Sequence, residues 1–303
     1  PPHNCACYPE AKLFGLNALA PASQSFAVPT EIPEAGRLEK GPAFAAKIDE
    51  TEPTAADWPT YRHDVARSGF SPEPIGNAPQ PTWEVKLGGR LTSPVIVGKS
   101  VYVSQIDQHT VHALATADGQ PQWSFTTGGR VDSAPTYWKG RLLFGSADGY
   151  VYSLRASDGE LIYRYRAAFT DRRLMAFEQL ESVWPVPGTV LVQDDILHFA
   201  VGRSSFLDAG IRMFRMEARS GTKLTETVMD DKDPDTGGDI QGRLKTLQMP
   251  VGLNDIMTSD GQFVYLKSQK FDKDGKRLEI GPVSGNAVEQ GAAARRVALE
   301  VLA

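Results

Sequence analysis

The stretch WEVKLGGRLTSPVIVGKSVYVSQIDQHTVHALATADGQPQ (residues 83–122) is followed directly by a second version of itself, WSFTTGGRVDSAPTYWKGRLLFGSADGYVYSLRASDGELI (residues 123–162). Trp83, Trp123 and Tyr163 stand 40 residues apart, and so do Gly119 and Gly159. A fixed period near forty with several short strands in each unit is typical of propeller blades. The sequence therefore predicts an all-β fold, a β-propeller of four-stranded blades.

The sequence pattern of the first unit also predicts the positions of four strands. Residues 95–97 and 101–103 are short runs of β-branched and aromatic residues, separated by the turn-forming residues 98–100. Residues 111–114 predict a third strand, which the Asp118-Gly119 turn closes, and the segment at Trp123 a fourth. The apolar runs are nearly continuous, as expected of strands that neighbouring blades cover on both faces.

The units outside this repeat are less regular. Residues 1–22 look like the second half of a preceding blade, residues 23–56 like a linker or crossing loop, and residues 286–303 like an irregular or helical tail. Two further units are expected at residues 163–228 and about 247–280. About three and a half to four blades make an incomplete ring, so we expect the chain to be a fragment whose missing blades lie elsewhere in the same polypeptide.

Composition excludes several classes of function. A formal net charge of −5 and a pI near 5.6 argue against nucleic-acid binding. No apolar run approaches the roughly 18 residues that a membrane-spanning helix needs. The charged and hydrophobic fractions are ordinary for a globular protein.

A family resemblance rests on two short patterns. The pattern Trp58-x-x-Tyr61-x-x-Asp64, followed by Arg-Ser-x-x-Ser-Pro at residues 67–72, resembles the segment that opens the propeller of pyrroloquinoline-quinone (PQQ) dehydrogenases and their non-catalytic relatives. The Asp-Gly-x-x-x-Trp joint at residues 118–123 is similar to the PQQ-like repeat of the same family. The closest resemblance is to large bacterial PQQ-repeat proteins of planctomycete type, some of which carry a methyltransferase-like domain upstream. It implies a quinoprotein dehydrogenase-like propeller and export to the periplasm or the cell exterior, but these repeats serve enzymes and scaffolds alike.

The resemblance does not extend to a quinone site. The dehydrogenases use an adjacent Cys-Cys disulfide, a calcium held by a Glu/Asn pair and a catalytic Asp, whereas Cys5 and Cys7 here are separated by Ala6 and no segment matches the other motifs. We therefore predict no cofactor, with PQQ and calcium bound through absent blades as the alternative. For the two cysteines three interpretations stay open: idle thiols, a disulfide, or a metal or redox pair.

The third unit contains the candidate ligand-binding residues. Charged and aromatic side chains are concentrated in its extra residues 167–182, at Trp184 shortly after them, and in its long loop at 202–210: Arg172, Arg173, Glu178, Glu181, Trp184, Arg203 and Asp208. Elongated loops on a rigid scaffold are where ligands bind, and arginines, carboxylates and an aromatic ring suit a sugar or a carboxylated ligand. The alternative is a salt-bridged loop that only plugs the channel.

The remaining aromatic residues receive a structural interpretation. We expect Trp83, Trp123 and Tyr163 to pack between blades rather than to stack on a quinone or a sugar. The resulting hypothesis is a non-catalytic binding or scaffold propeller with a carbohydrate or protein ligand. The alternatives are a fragment of a PQQ-dependent oxidoreductase and a carbohydrate-active enzyme.

Overall fold

The computed structural model describes residues 31–74, 78–205, 207–230, 232, 236–238, 254–267 and 269–280. A 3-10 helix (Glu34–Gly36) comes first in the described chain, and a short strand, β1 (Leu38–Lys40), follows it. A second 3-10 helix lies at Ile106–Gln108. Cys5, Cys7, the expected half blade at 1–22 and the tail at 286–303 lie outside the described residues. In the described part of the chain, no helix is long and apolar enough to cross a membrane.

Four antiparallel sheets of four consecutive strands follow the order predicted for propeller blades. Blade 1 contains β2 (Val95–Val97), β3 (Ser100–Gln105), β4 (Thr110–Ala115) and β5 (Pro121–Thr126). Blade 2 contains β6 (Thr136–Trp138), β7 (Arg141–Gly145), β8 (Tyr150–Arg155) and β9 (Leu161–Arg166). A hairpin then intervenes, made of β10 (Arg173–Ala176) and β11 (Gln179–Ser182). Blade 3 contains β12 (Leu191–Gln193), β13 (Ile196–Val201), β14 (Ile211–Glu217) and β15 (Lys223–Met229). Blade 4 contains β16 (Thr258–Ser259), β17 (Val264–Leu266), β18 (Gln269–Phe271) and β19 (Arg277–Ile280). The prediction of an all-β propeller fold with four-stranded blades is confirmed.

The hydrophobic core lies between blades rather than inside one domain centre. Along β7, Leu142 and Phe144 belong to the cluster shared with blade 1, whereas Leu143 belongs to the cluster shared with blade 3. This alternation follows from the two-residue period of a strand, which sends successive side chains to opposite faces. Both faces of the middle blades are therefore covered, which explains the nearly continuous apolar runs in their sequence.

Aromatic residues join each blade to the next at the glycine turns. The indole Nε1 of Trp83 donates to the Thr116 carbonyl at 2.8 Å, and that of Trp123 donates to the Ala156 carbonyl at 3.0 Å. Tyr163 occupies the corresponding place in the third unit, where its hydroxyl donates to the Ala218 carbonyl at 2.8 Å. Each ring lies against the glycine of the following turn, at positions 119, 159 and 221, where an added Cβ would come within 2.8 Å of ring atoms. The forty-residue spacing of these aromatics thus corresponds to one repeated contact between blades.

The segment expected to be a linker, residues 23–56, is more than a linker in its described part. Strand β1 pairs antiparallel with β9, with Leu38 opposite Tyr165 and Lys40 opposite Tyr163. It forms a fifth strand that covers the outer edge of blade 2, and a covered edge is protected from pairing with other chains. After β1 the chain forms two hydrogen-bonded turns, in which the Phe44 and Ala46 amides donate to carbonyls three residues earlier. The strand Leu38–Lys40 was not predicted from the sequence because three residues are too few to establish a period.

Blade 4 corresponds to the unit expected at about 247–280. Its first strand begins at Thr258, and Arg277–Ile280 forms its fourth strand. The exact bounds of such short strands are set by hydrogen bonding between strands rather than by composition.

Residues 57–67 form an inner strap that runs past the first strand of each blade. These first strands are neighbours around the centre, with β6 beside both β2 and β12. The strap bonds in turn to blades 1, 2, 3 and 4, through Trp58 with Ile96, Pro59 with Tyr137, Arg67 with Val190, and Val65 with Ser259. The segment that carries the family pattern therefore has a structural role, because it ties the four blades together from inside.

His198 on β13 makes unfolding depend on pH. It is 4% exposed, and burial, with a smaller effect of the Arg215 charge, lowers its pKa to about 4 from the ordinary 6.5. The unfolded chain therefore takes up a proton between pH 6.5 and 4 while the folded protein does not, so stability falls as the pH drops through that window. Between pH 7 and 4.5 we expect His198 to account for a loss of about 2 kcal/mol in the free energy of unfolding. Urea unfolding of the wild type and of His198→Gln at both pH values measures this, and an equal loss in both proteins would contradict it.

Candidate functional site

The segments that enter the first strands of the four blades surround a cavity of about 340 Å³, the channel cavity. Tyr61 of the inner strap is also among its walls. The polar lining residues come from successive blades, and include Ser93, Asp132, Ser133, Thr189, Asn254 and Asp255. A pocket of this size lies at the lower end of the range for small-molecule sites.

The two elongated segments of the third unit contact each other, and one of them reaches the cavity lining, because the Asn254 amide donates to the Gly202 carbonyl at 2.8 Å. Arg172 lies 3.5 Å from the Asp208 carboxylate, and the indole Nε1 of Trp184 donates to the Asp208 carbonyl at 2.7 Å. The segments lie on the same face because one precedes the first strand of blade 3 and the other joins its second and third strands. The two segments are therefore close enough to contribute to one site, as the candidate site requires. Their role in ligand binding stays a prediction.

A buried ion triad holds the hairpin to its surroundings. Glu181, whose side chain is 1% exposed, accepts from the Nε of Arg130 at 2.5 Å and from an Nη of Arg203 at 2.7 Å. Arg203 also donates to the Ser182 carbonyl at 3.2 Å. A carboxylate buried this deeply is stable only with charged partners and good geometry, so the triad fixes the position of β11 relative to blades 2 and 3.

The hairpin also contacts blade 1. The side-chain oxygen of Gln179 is 2.6 Å from the Nε2 of His109, and its amide group donates to the Asp107 carbonyl at 3.3 Å. The guanidinium of Arg130 lies 4.2 Å from the centre of the Phe177 ring, at the tip of the hairpin. Contacts with three blades therefore fix the position of the hairpin.

The predicted site residues separate into an interior and an exterior group. Glu181 and Trp184 are buried, and Trp184 packs against Phe169 with ring centres 4.0 Å apart. Arg172, Arg173 and Glu178 lie on the exposed side of the hairpin segment. The interior members are thus out of reach of a ligand at the surface and contribute by positioning the loops.

The outer face of the hairpin is apolar. Met175 and Leu180 are cross-strand partners, and the alternation of β10 and β11 turns them outward while Leu174 and Glu181 turn inward. Met175, Leu180 and the tip residue Phe177 are 61%, 54% and 63% exposed. A cluster of large apolar side chains at this exposure on one small element is typical of an interaction surface.

The cavity-lining residues were not identified from the sequence. Ser133, Thr189 and Asp132 belong to no motif, and they meet only because equivalent segments of different blades converge. A usable signal exists in the repeat, since Ser93 and Ser133 occupy the same position one period apart, just before the first strand of each blade. Among the described residues, no group of three or more His, Cys, Asp or Glu side chains is arranged to hold a metal ion.

Comparisons with known proteins agree with this fold. Residues 80–276 match the protein family described as outer membrane protein assembly factor BamB. No curated protein matches the chain. The chain is similar to the structure of quinohemoprotein alcohol dehydrogenase from Comamonas testosteroni, with 18% identity and a TM-score of 0.55 over 74% of this chain and 40% of that one. A second quinohemoprotein alcohol dehydrogenase, from Pseudomonas putida HK5, gives 14% identity and a TM-score of 0.58 over 84% of this chain and 42% of that one.

At these identities the two structures establish the fold alone, and the chain spans about two fifths of their length. The family match is broader, because it covers residues 80–276 and with them nearly all strands of the four blades. The chain therefore belongs to the PQQ-repeat propeller family described as outer membrane protein assembly factor BamB.

Proposed function

We propose that this chain is a non-catalytic, protein-binding propeller that recognises an apolar segment of a partner through the outer face of its β10–β11 hairpin. The observation that carries the proposal is the exposed cluster of Met175, Phe177 and Leu180. Burial of such side chains against a partner contributes about 1.5–3 kcal/mol each. A few residues of this kind are enough to dominate an interface.

The support of the hairpin favours recognition over disorder. The Arg130–Glu181–Arg203 triad and the His109–Gln179 contact hold its backbone before any partner arrives. An interface that is already ordered loses less conformational entropy on binding. Arg172 and Arg173 flank the apolar cluster and remain largely exposed, with 47% and 57% of their side chains accessible, so the partner segment is expected to carry acidic residues beside its apolar ones.

The donor set of the cavity does not fit PQQ. That cofactor is a tricarboxylate, whereas the cavity is lined by Asp132 and Asp255 and, among the described lining residues, by no lysine or arginine. Placing anionic groups against these carboxylates without a compensating cation is unfavourable. This cavity by itself therefore offers PQQ no compensating cation, and a PQQ site built by absent blades stays the alternative.

Membership of a family described by an outer membrane assembly factor supports a location outside the cytoplasm. Missing blades and a fused methyltransferase-like domain remain predictions.

The proposal is tested with peptides selected from a phage-displayed random library on the wild-type protein. The triple variant Met175→Ser/Phe177→Ser/Leu180→Ser is expected to bind the selected peptides at least about tenfold more weakly, because the apolar anchor surface is gone. The selected peptides are expected to combine apolar and acidic residues. Isothermal titration calorimetry measures the affinities.

A matched control removes exposed apolar surface elsewhere. Leu224→Ser/Val228→Ser changes two residues of β15 that are 41% and 44% exposed, and is expected to leave peptide affinity unchanged. Equal weakening by both variants, or peptides that bind the triple variant as tightly as the wild type, would exclude the hairpin as the recognition surface. Stoichiometric binding of PQQ at micromolar concentration, followed by fluorescence with and without calcium, would overturn the non-catalytic assignment.

A further inference from the structure

We infer that the channel cavity is a second binding site, separate from the hairpin, and that it takes a small hydroxylated primary amine such as an amino sugar. The cavity lies between Tyr61 of the inner strap and the segments that enter the first strands of all four blades. Its size of about 340 Å³ suits a single-ring ligand rather than a polypeptide.

Three polar side chains around the cavity have unused hydrogen-bonding capacity. The Ser133 and Thr189 hydroxyls are buried, with 8% and 2% of each residue exposed, and neither has a hydrogen-bond partner in the described part of the chain. The Asn254 side-chain oxygen is likewise without a partner among described residues, although its amide group donates to the Gly202 carbonyl at 2.8 Å. Buried polar groups are nearly always paired in folded proteins, so three such atoms around one cavity indicate where a ligand's hydroxyl and amino groups would bind.

The charge of the cavity selects a cation. Asp132 receives only weak compensation: its Oδ1 accepts from the Gly188 amide at 3.4 Å, and its Oδ2 lies 3.9 Å from Arg130, which is engaged by Glu181. Burial raises the pKa of Asp132, and the Arg130 charge opposes that effect only in part. Asp255 is the other lining carboxylate, and its own cationic partner is Lys267, at 3.7 Å. An ammonium group beside Asp132 would supply the missing positive charge.

The rest of the lining includes apolar side chains, which suit the carbon face of a ring. They belong to Tyr61, Leu91, Ile106 and Ile256. Apolar side chains together with a few convergent polar groups are the usual composition of a small-molecule site. The combination of acidic, hydroxyl and apolar surfaces distinguishes an amino sugar from a neutral sugar, which lacks the charge, and from a sugar acid, which carries the wrong one.

Three single-ring ligands of matched size test the inference: glucosamine, glucose and glucuronate, titrated by isothermal calorimetry and by saturation-transfer NMR. Glucosamine is expected to bind at millimolar concentration or tighter, glucose about tenfold more weakly, and glucuronate not at all. Asp132→Asn is expected to weaken glucosamine at least about tenfold while changing glucose little, because it removes the charge and keeps the shape. Ser133→Ala and Thr189→Val are expected to weaken both sugars.

Glu84→Gln serves as the control, since it removes one negative charge from an exposed residue outside the cavity. No glucosamine binding at millimolar concentration, equal loss with Glu84→Gln and Asp132→Asn, or glucuronate binding as tight as glucosamine would each overturn the inference. The hairpin triple variant is expected to bind glucosamine like the wild type, so failure of the cavity site and failure of the hairpin site are distinguishable.

Discussion

Replacement of Arg67 by methionine is expected to lower the free energy of unfolding by about 4 kcal/mol, the largest effect that we expect of any single substitution in this chain. Arg67 is 6% exposed. The hydrogen bonds of its guanidinium go to neutral acceptors: the Met257, Val190, Tyr61 and Asp64 carbonyls and the Thr60 hydroxyl. Burial lowers the pKa of Arg67 to about 10, and the charge of Asp64 opposes that effect only in part.

Methionine retains much of the length of the side chain but donates to none of these acceptors. Each buried acceptor left without a partner costs about 1–3 kcal/mol, and this loss is reduced at Val190, whose carbonyl also accepts from the Thr136 hydroxyl at 2.8 Å. Because the Met257 and Val190 bonds connect the inner strap to blades 4 and 3, their loss also weakens the contact between those blades. Arg67→Lys keeps the charge and up to three donors, so an intermediate effect is expected.

Urea unfolding followed by tryptophan fluorescence measures the change, with Arg90→Met as the control. Arg90 is an exposed arginine that pairs with Asp107, at 2.6 Å, and exposed pairs contribute about 0–1 kcal/mol. A destabilisation of Arg67→Met no larger than that of Arg90→Met would contradict a structural role for the strap.

Replacement of Gly159 by alanine is expected to lower the free energy of unfolding by about 3 kcal/mol. Gly159 has a φ of +75°, where an L-residue is strained, and an added Cβ would lie 2.4 Å from the ring of Trp123. To relieve the clash, the indole would have to move from its place between blades 1 and 2, where its Nε1 bonds to the Ala156 carbonyl. The effect therefore reports on contact between blades as well as on local strain.

Gly98→Ala separates these two contributions. Gly98 has a φ of +57°, but an added Cβ there would meet nothing within 4 Å. We expect this variant to lose about 1 kcal/mol, from backbone strain alone. Thermal unfolding by circular dichroism compares the two proteins, and equal losses would mean that Trp123 does not depend on the glycine turn for its packing.

The sequence by itself determined the blades. Short apolar runs and glycine turns recur with a forty-residue period, so each unit carries the same local pattern. Strands that pair through short turns are specified by residues close in sequence. The positions of Trp83, Trp123 and Tyr163 were predictable for the same reason, since each repeats one contact with the next unit. The proximity of residues 167–182 and 202–210 can also be predicted from the sequence, because both segments extend from one face of the same blade.

Only the tertiary structure decided what these loops and segments do. Arg130 and Glu181 are 51 residues apart in sequence, and Arg67 and Met257 are 190 apart, so no local pattern records their contacts. Glu181 and Trp184 appeared as ligand-binding candidates because charge and aromaticity do not reveal burial. The cavity forms where the entry segments of four blades converge, and the strap beside it is held by backbone hydrogen bonds and by the side chain of Arg67. Convergence of distant, individually ordinary residues is a property of the ring, and it exists only when the blades have packed.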